Sequence, residues 1–194
     1  MSDDDPLRAV RTAAETYGFD LDDETVDGYV TELTGMADLF GTLDAVDPDD
    51  DPATDVRAGD DDHNALLYTF SLASGAGPLG GLRLGVKDNM AVAGVPMTCG
   101  SAALSYTPEF HATVVRRLRE AGADVRATTN MDEFAYFTTG ETCAHGPVEN
   151  PAVGGAVPGG SSSGSGAAVA AGSLDAALGS DTGGSVRIPA SYCG

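Results

Sequence analysis

The chain has 194 residues, of which 42% are hydrophobic, and a formal net charge of −20 at pH 7. Such a length and apolar content supply one sizeable core and exclude disorder along the whole chain. No apolar run approaches the ~18 residues needed to cross a bilayer, and the acidic start Met1-Ser2-Asp3-Asp4-Asp5 is unlike a secretory signal, so a soluble, cytoplasmic protein is expected.

In chain order, the first pattern is helical. Pro6 to Tyr17 places Leu7, Val10 and Ala14 at three- and four-residue steps. A second helix is expected from Asp22 to about Leu43, with Val26, Tyr29, Val30, Leu33, Met36 and Leu39 on one side. Residues 1–45 are therefore assigned to a helical segment. The run Asp47-Pro48-Asp49-Asp50-Asp51-Pro52 breaks any helix, and residues 46–64 read as an acidic linker.

From residue 65 to 194 the texture is α/β. Leu82 to Lys87 is strand-like, His111 to Ala121 helical and ended by Gly122, and Ala123 to Thr128 a following strand. Asn130 to Phe137 is expected to start another helix, Ala167 to Ala171 to be helical and Ala176 to Gly179 extended. Strands alternating with helices predict a mixed or parallel sheet covered by helices. The chain ends at Gly194 in the middle of this texture, so only the N-terminal part of such a domain is expected.

Most of the negative excess lies before His63, where the only basic residues are Arg8, Arg11 and Arg57. Phosphate binding needs a basic surface, so nucleic acid is a poor partner. The chain holds nine arginines and one lysine. Lysine depletion with aspartate enrichment fits adaptation to high salt, where ionic strength screens the repulsion, better than docking to a basic partner. That one lysine is Lys87. Arginine keeps its proton in proteins, whereas a desolvated lysine loses basicity toward neutrality; one surviving surface lysine is the plainer alternative. Cys99, Cys143 and Cys193 form no CxxC pair and fit a reducing compartment. Cys143-Ala144-His145 lacks partners at metal-ligand spacing and is assigned to packing.

Gly159-Gly160-Ser161-Ser162-Ser163-Gly164-Ser165-Gly166 admits four interpretations. A flexible linker sits badly with the apolar segment beyond it. A phosphate loop needs a terminal Gly-Lys-Ser/Thr, and a GxSxG elbow fails at both Ser165 and Ser185. The fourth joins distant pieces: Lys87 in Gly85-Val86-Lys87-Asp88-Asn89, Ser161 in this loop, and Ser185 closing Gly179-Ser180-Asp181-Thr182-Gly183-Gly184-Ser185. A serine nucleophile needs a base. His63, His111 and His145 sit in unremarkable contexts, which leaves a neutral, buried lysine, with a second serine relaying the proton. Glycines before Ser185 let backbone N–H groups converge on an oxyanion.

At Pro158 to Gly194, at Gly85 to Asn89 and at Asn130-Met131-Asp132-Glu133-Phe134 the sequence resembles the amidase signature family. The resemblance implies an amidase hydrolysing a small-molecule carboxamide to carboxylate and ammonia. Ser185 would be the nucleophile, Lys87 the base and Ser161 the bridging serine on a cis peptide. The backbone amides of Thr182, Gly183, Gly184 and Ser185 would form the oxyanion hole, and neither metal nor organic cofactor would be needed. Ser163 stands where the family usually has glycine.

Within the family, the helical N-terminus and Gly94-Val95-Pro96-Met97 look like broad-range amidases acting on simple carboxamides. A membrane element is not expected, and a homodimer through the N-terminal helices follows by analogy alone. The alternative is the A subunit of an Asp/Glu-tRNA amidotransferase, the one reading that brings in a nucleic acid. A third alternative is an inactive, truncated fragment.

Overall fold

The computed structural model describes residues 5–42 and 50–194, in two compact units spanning Met1–Pro48 and Asp49–Gly194. In the first unit, α1 (Pro6–Tyr17) begins where the Asp5 side chain accepts from Leu7 N at 3.1 Å and Pro6 opens the helix. It ends at Gly18, which takes the left-handed conformation at φ 73°. Asp22 caps α2 (Asp23–Thr42) by accepting from Thr25 N at 2.8 Å. Val10, Ala14 and Val26 are buried, whereas Leu7, Tyr29, Leu33 and Met36 remain exposed. The apolar stripes read from the sequence are thus only partly covered within this unit, and the Leu39 side chain lies outside the described residues.

The second unit carries a five-stranded sheet in the order β1-β2-β4-β3-β5. Its strands are β1 (Thr54–Ala58), β2 (Leu66–Ser71), β3 (Arg83–Lys87), β4 (Asp124–Thr129) and β5 (Ala176–Leu178). The pairs β1/β2 and β2/β4 are antiparallel, and β4/β3 and β3/β5 parallel. This is the mixed sheet that the alternating texture predicts. One part of that expectation is corrected. Residues 50–64 are not simply a linker: they contain β1, whose Arg57 and Ala58 register against Thr69 and Tyr68 of β2. The rest of the expected Asp/Pro break, Asp47 to Asp49, lies outside the described residues.

Side chains on a strand alternate between faces, and this decides which face Lys87 joins. Leu84 and Val86 of β3 pack with Val125 of β4 and Val115 of α3 (Thr113–Glu120) in one buried cluster. Gly85 and Lys87 therefore belong to the opposite face. There Ala127 of β4 packs with Ala167 and Ala168 of α4 (Ser163–Ala170) and with Leu174. A β-carbon on Gly85 would lie 2.5 Å from Leu174 Cδ1 and 2.9 Å from Thr129 Cγ2. The missing side chain is what lets the α4 layer close over this face. Thr129 and Ser165 join hydroxyls at 2.7 Å across the same contact.

Two more differences bear on the site. Asn130 to Phe137 does not form an α-helix: only a 3-10 turn at Glu133–Ala135 is present, with Phe134 and Ala135 at φ 48° and 59°. The N–H groups of Asp132 and Phe134 donate to the distant carbonyls of Ser161 and Cys99, and that of Met131 to the Asn130 side chain, so these donors are lost to helical pairing. Conversely, α4 starts at Ser163, inside the glycine–serine stretch, rather than at Ala167. α5 (Arg187–Tyr192) closes the described chain. No helix among the described residues is long and apolar enough to cross a membrane.

Candidate active site

Lys87 ends β3 and is fully buried, as is Ser161. Its Nζ donates to Ser161 Oγ at 2.7 Å, to Ser180 Oγ at 2.9 Å and to the Ser180 carbonyl at 3.4 Å. Asn89 Nδ2 also donates to Ser180 Oγ, at 3.0 Å, so that hydroxyl is held from two sides. The peptide bond Gly160–Ser161 is cis. Burial pushes the Lys87 amine down to about 8, against the fields of Asp132 and Asp181, which favour its charged form. An ammonium in this place loses most of its hydration, which is the physical reason the neutral amine becomes accessible near neutral pH.

The second serine loop is stitched to the first. Ser162 N donates to the Ser185 carbonyl at 3.0 Å, and Ser162 Oγ to the Ser180 carbonyl at 3.3 Å. These bonds seat Ser185 beside the Ser161 segment. The Ser185 residue is almost fully buried, and its hydroxyl makes no hydrogen bond among the described residues. Asp181 organises the turn before it, accepting from the N–H groups of Gly184 (2.8 Å), Val186 (3.0 Å) and Arg187 (3.2 Å). Arg187 pairs with the same carboxylate at 2.9 Å, and this pairing, with the amide donors, holds Asp181 far below the usual carboxylate range.

That turn corrects one member of the expected amide set. The Gly184 N–H is taken by Asp181, whereas the N–H groups of Thr182, Gly183 and Ser185 have no hydrogen-bond partner among the described residues. The histidines stand apart from the serines. His111 Nδ1 accepts from Ala93 N at 2.9 Å, and His145 Nε2 pairs with Thr98 Oγ1 at 2.9 Å. Among the described residues no cluster of three or more His, Cys, Asp or Glu side chains is placed to hold a metal.

The geometry thus brings Lys87 and Ser161 into direct contact and Ser185 next to them through the backbone. Three residues at the site are not marked out by the sequence: Ser180, Asn89 and Asp132. Each lies inside one of the three motif blocks, but nothing in its local pattern says that it faces the lysine.

A family model described as Amidase matches residues 62–194. The chain belongs to the amidase signature family. Over 134 residues it is 58% identical to the A subunit of the glutamyl-tRNA(Gln) amidotransferase of Natronomonas pharaonis, covering 68% of this chain and 32% of that protein. The crystal structure of the A subunit of glutamyl-tRNA(Gln) amidotransferase from Thermotoga maritima is 45% identical with a TM-score of 0.65, covering 68% of this chain and 30% of that one. A crystal structure described as an amidase is 53% identical with a TM-score of 0.57, covering 61% of this chain and 27% of that one. The chain spans about a quarter to a third of the length of the curated relatives it matches. Amidase signature proteins are C–N hydrolases.

Proposed function

We propose that this chain carries the serine–serine–lysine machinery of an amide hydrolase of the amidotransferase A-subunit type, releasing ammonia from a carboxamide donor such as glutamine. The observation that carries the chemistry is the buried 2.7 Å contact of Lys87 Nζ with Ser161 Oγ, made by an amine whose basicity burial lowers. A neutral Nζ takes the Ser161 proton while Ser161 takes that of Ser185, and Ser185 Oγ forms its bond to the carboxamide carbon. The carbonyl oxygen becomes an oxyanion facing the uncommitted N–H groups of Thr182, Gly183 and Ser185. When the C–N bond breaks, the proton on Lys87 returns through Ser161 to the departing nitrogen. Water then hydrolyses the acyl group from Ser185.

The choice of substrate class rests on the relatives. Eight A-subunit chains match at 50–61% identity, which favours the amidotransferase alternative over the broad-range amidase expected from the helical N-terminus and Gly94-Val95-Pro96-Met97. That expectation leaned on residues 6–42, which lie outside the family match, and on Gly94-Val95-Pro96-Met97, which lies inside it. By the same resemblance the partners would be companion subunits and a charged tRNA, bound through the assembly and not through this acidic chain alone. The second reading, hydrolysis of simple carboxamides, keeps one supporting observation, the 53% identity to a solved amidase. Ammonia release by the intact natural protein separates them. Dependence on glutamine and charged tRNA supports the first reading. Turnover of propionamide or benzamide without partner subunits sinks it in favour of the second. Failure of Ser185 to react with a fluorophosphonate at high salt would instead mark an inert chain.

A further inference from the structure

The segment around Asp132 contains a buried carboxylate to which the proposed reaction gives no task. Asp132 is fully buried. Its carboxylate accepts from Gly140 N at 2.9 Å, Thr142 N at 3.1 Å and Thr142 Oγ1 at 2.8 Å, and its own N–H donates to the Ser161 carbonyl at 3.1 Å. Every side-chain partner is a donor, the pattern an ionised carboxylate requires. The same carboxylate fills the space over Gly160, where a β-carbon would overlap Asp132 Oδ2. Asp132 thus grips Ser161 through the backbone and abuts the residue before it.

Among the described residues no Arg, Lys or His makes an ion pair with Asp132. The charged and titratable groups around the lysine are Asp132, Asp181 and, next to it in the chain, Asp88; Cys143 faces Asp132 from the adjoining loop. Asp181 also favours the ammonium, but it is tied to Arg187, whose charge offsets part of its own. Asp88 turns its carboxylate to Thr98 and to Gly100 N. Of the two fully buried carboxylates, Asp132 is the one that acts on the amine, and its charge is met by hydrogen-bond donors but by no cation among the described residues.

We propose that Asp132 is a positioning residue for the reaction: it seats the Gly160–Ser161 segment against the lysine and, through its unpaired buried charge, keeps the Lys87 amine basic enough to accept a proton. The inference rests on Lys87 being the base. It explains why burial does not make that amine too weak to act: a low-dielectric site strengthens the attraction of a nearby anion as well as penalising the cation.

The test is the pH dependence of Ser185 phosphonylation by a fluorophosphonate, measured on the intact natural protein with any co-purifying subunits. In Asp132→Asn the acid limb of the rate moves to lower pH by roughly half to one unit, because the field that favours the ammonium is gone. In Thr142→Val a donor to the carboxylate is lost, its charge is less compensated, and the limb moves the opposite way. A role confined to holding the loop lowers the plateau in both variants and moves neither limb, which overturns the proposal. If Asp132→Asn does not fold, the direction of the Thr142→Val shift decides alone. Lys87→Met is run beside them: if it labels with the wild-type pH profile, the lysine is not the base, and both readings fall for that separate reason.

Discussion

At the scale of single residues, the decisive quantity is the free energy of carrying a charge on Lys87. The amine is fully buried, and burial pushes it down from 10.5 to about 8. With the neutral amine as the working form, kcat/KM rises about tenfold per pH unit below about 8 and levels above it; an ammonia-release assay across about pH 6–10 reads the limb, and a flat profile contradicts the assignment. The stability linkage has a defined sign. The unfolded chain holds this proton more tightly than the folded one, so this group adds stability as pH rises from about 8 to 10.5 and contributes no slope below that window. Replacing Lys87 by Met keeps the volume and removes the proposed base. Turnover should fall by about two to four orders of magnitude with the fold retained, checked by activity alongside circular dichroism. Near-native turnover of that variant would remove the base from the mechanism.

At the scale of elements, α4 holds the site together. It begins inside the glycine–serine stretch, directly after Ser161 and Ser162, and it lies against β4 through the Thr129–Ser165 contact. Ser163, where the family usually has glycine, is fully buried, and its hydroxyl has no hydrogen-bond partner among the described residues. A buried hydroxyl without a partner carries an uncompensated desolvation cost of about 1–3 kcal/mol. Ser163→Ala should therefore leave turnover unchanged and raise stability by about 1 kcal/mol, read as a higher denaturant midpoint at equal slope. A lower midpoint would mean that the hydroxyl is satisfied after all. The strand β3 does the complementary work: its alternation commits Leu84 and Val86 to the α3 side and delivers Lys87 to the α4 side. A one-residue slip of that register would turn the amine into the opposite cluster.

For the molecule as a whole, the net charge of −20 sets the response to salt. Carboxylates at this density repel across the folded surface, and ionic strength screens them within a Debye length of about 3 Å at about 1 M. The melting temperature should climb as KCl rises from about 0.1 M to about 2 M, more than for a neutral protein of equal size; a midpoint that is flat or falls with salt would refute the high-salt reading. The sequence by itself determined the helix boundaries of residues 6–42 and the α/β texture, and it singled out Lys87, Ser161 and Ser185 as candidates, because caps, periodicities and short motifs are written in neighbouring residues. It did not determine β1, whose short, mostly polar strand depends on pairing with β2 and on Val56 packing against the core, nor the turn at Glu133–Ala135. It also missed Ser180 and Asp132. The lysine meets Ser161 across 74 residues and Ser180 across 93. Contacts at that separation depend on strand order and on which face of the sheet each side chain joins, and only the tertiary structure decides these.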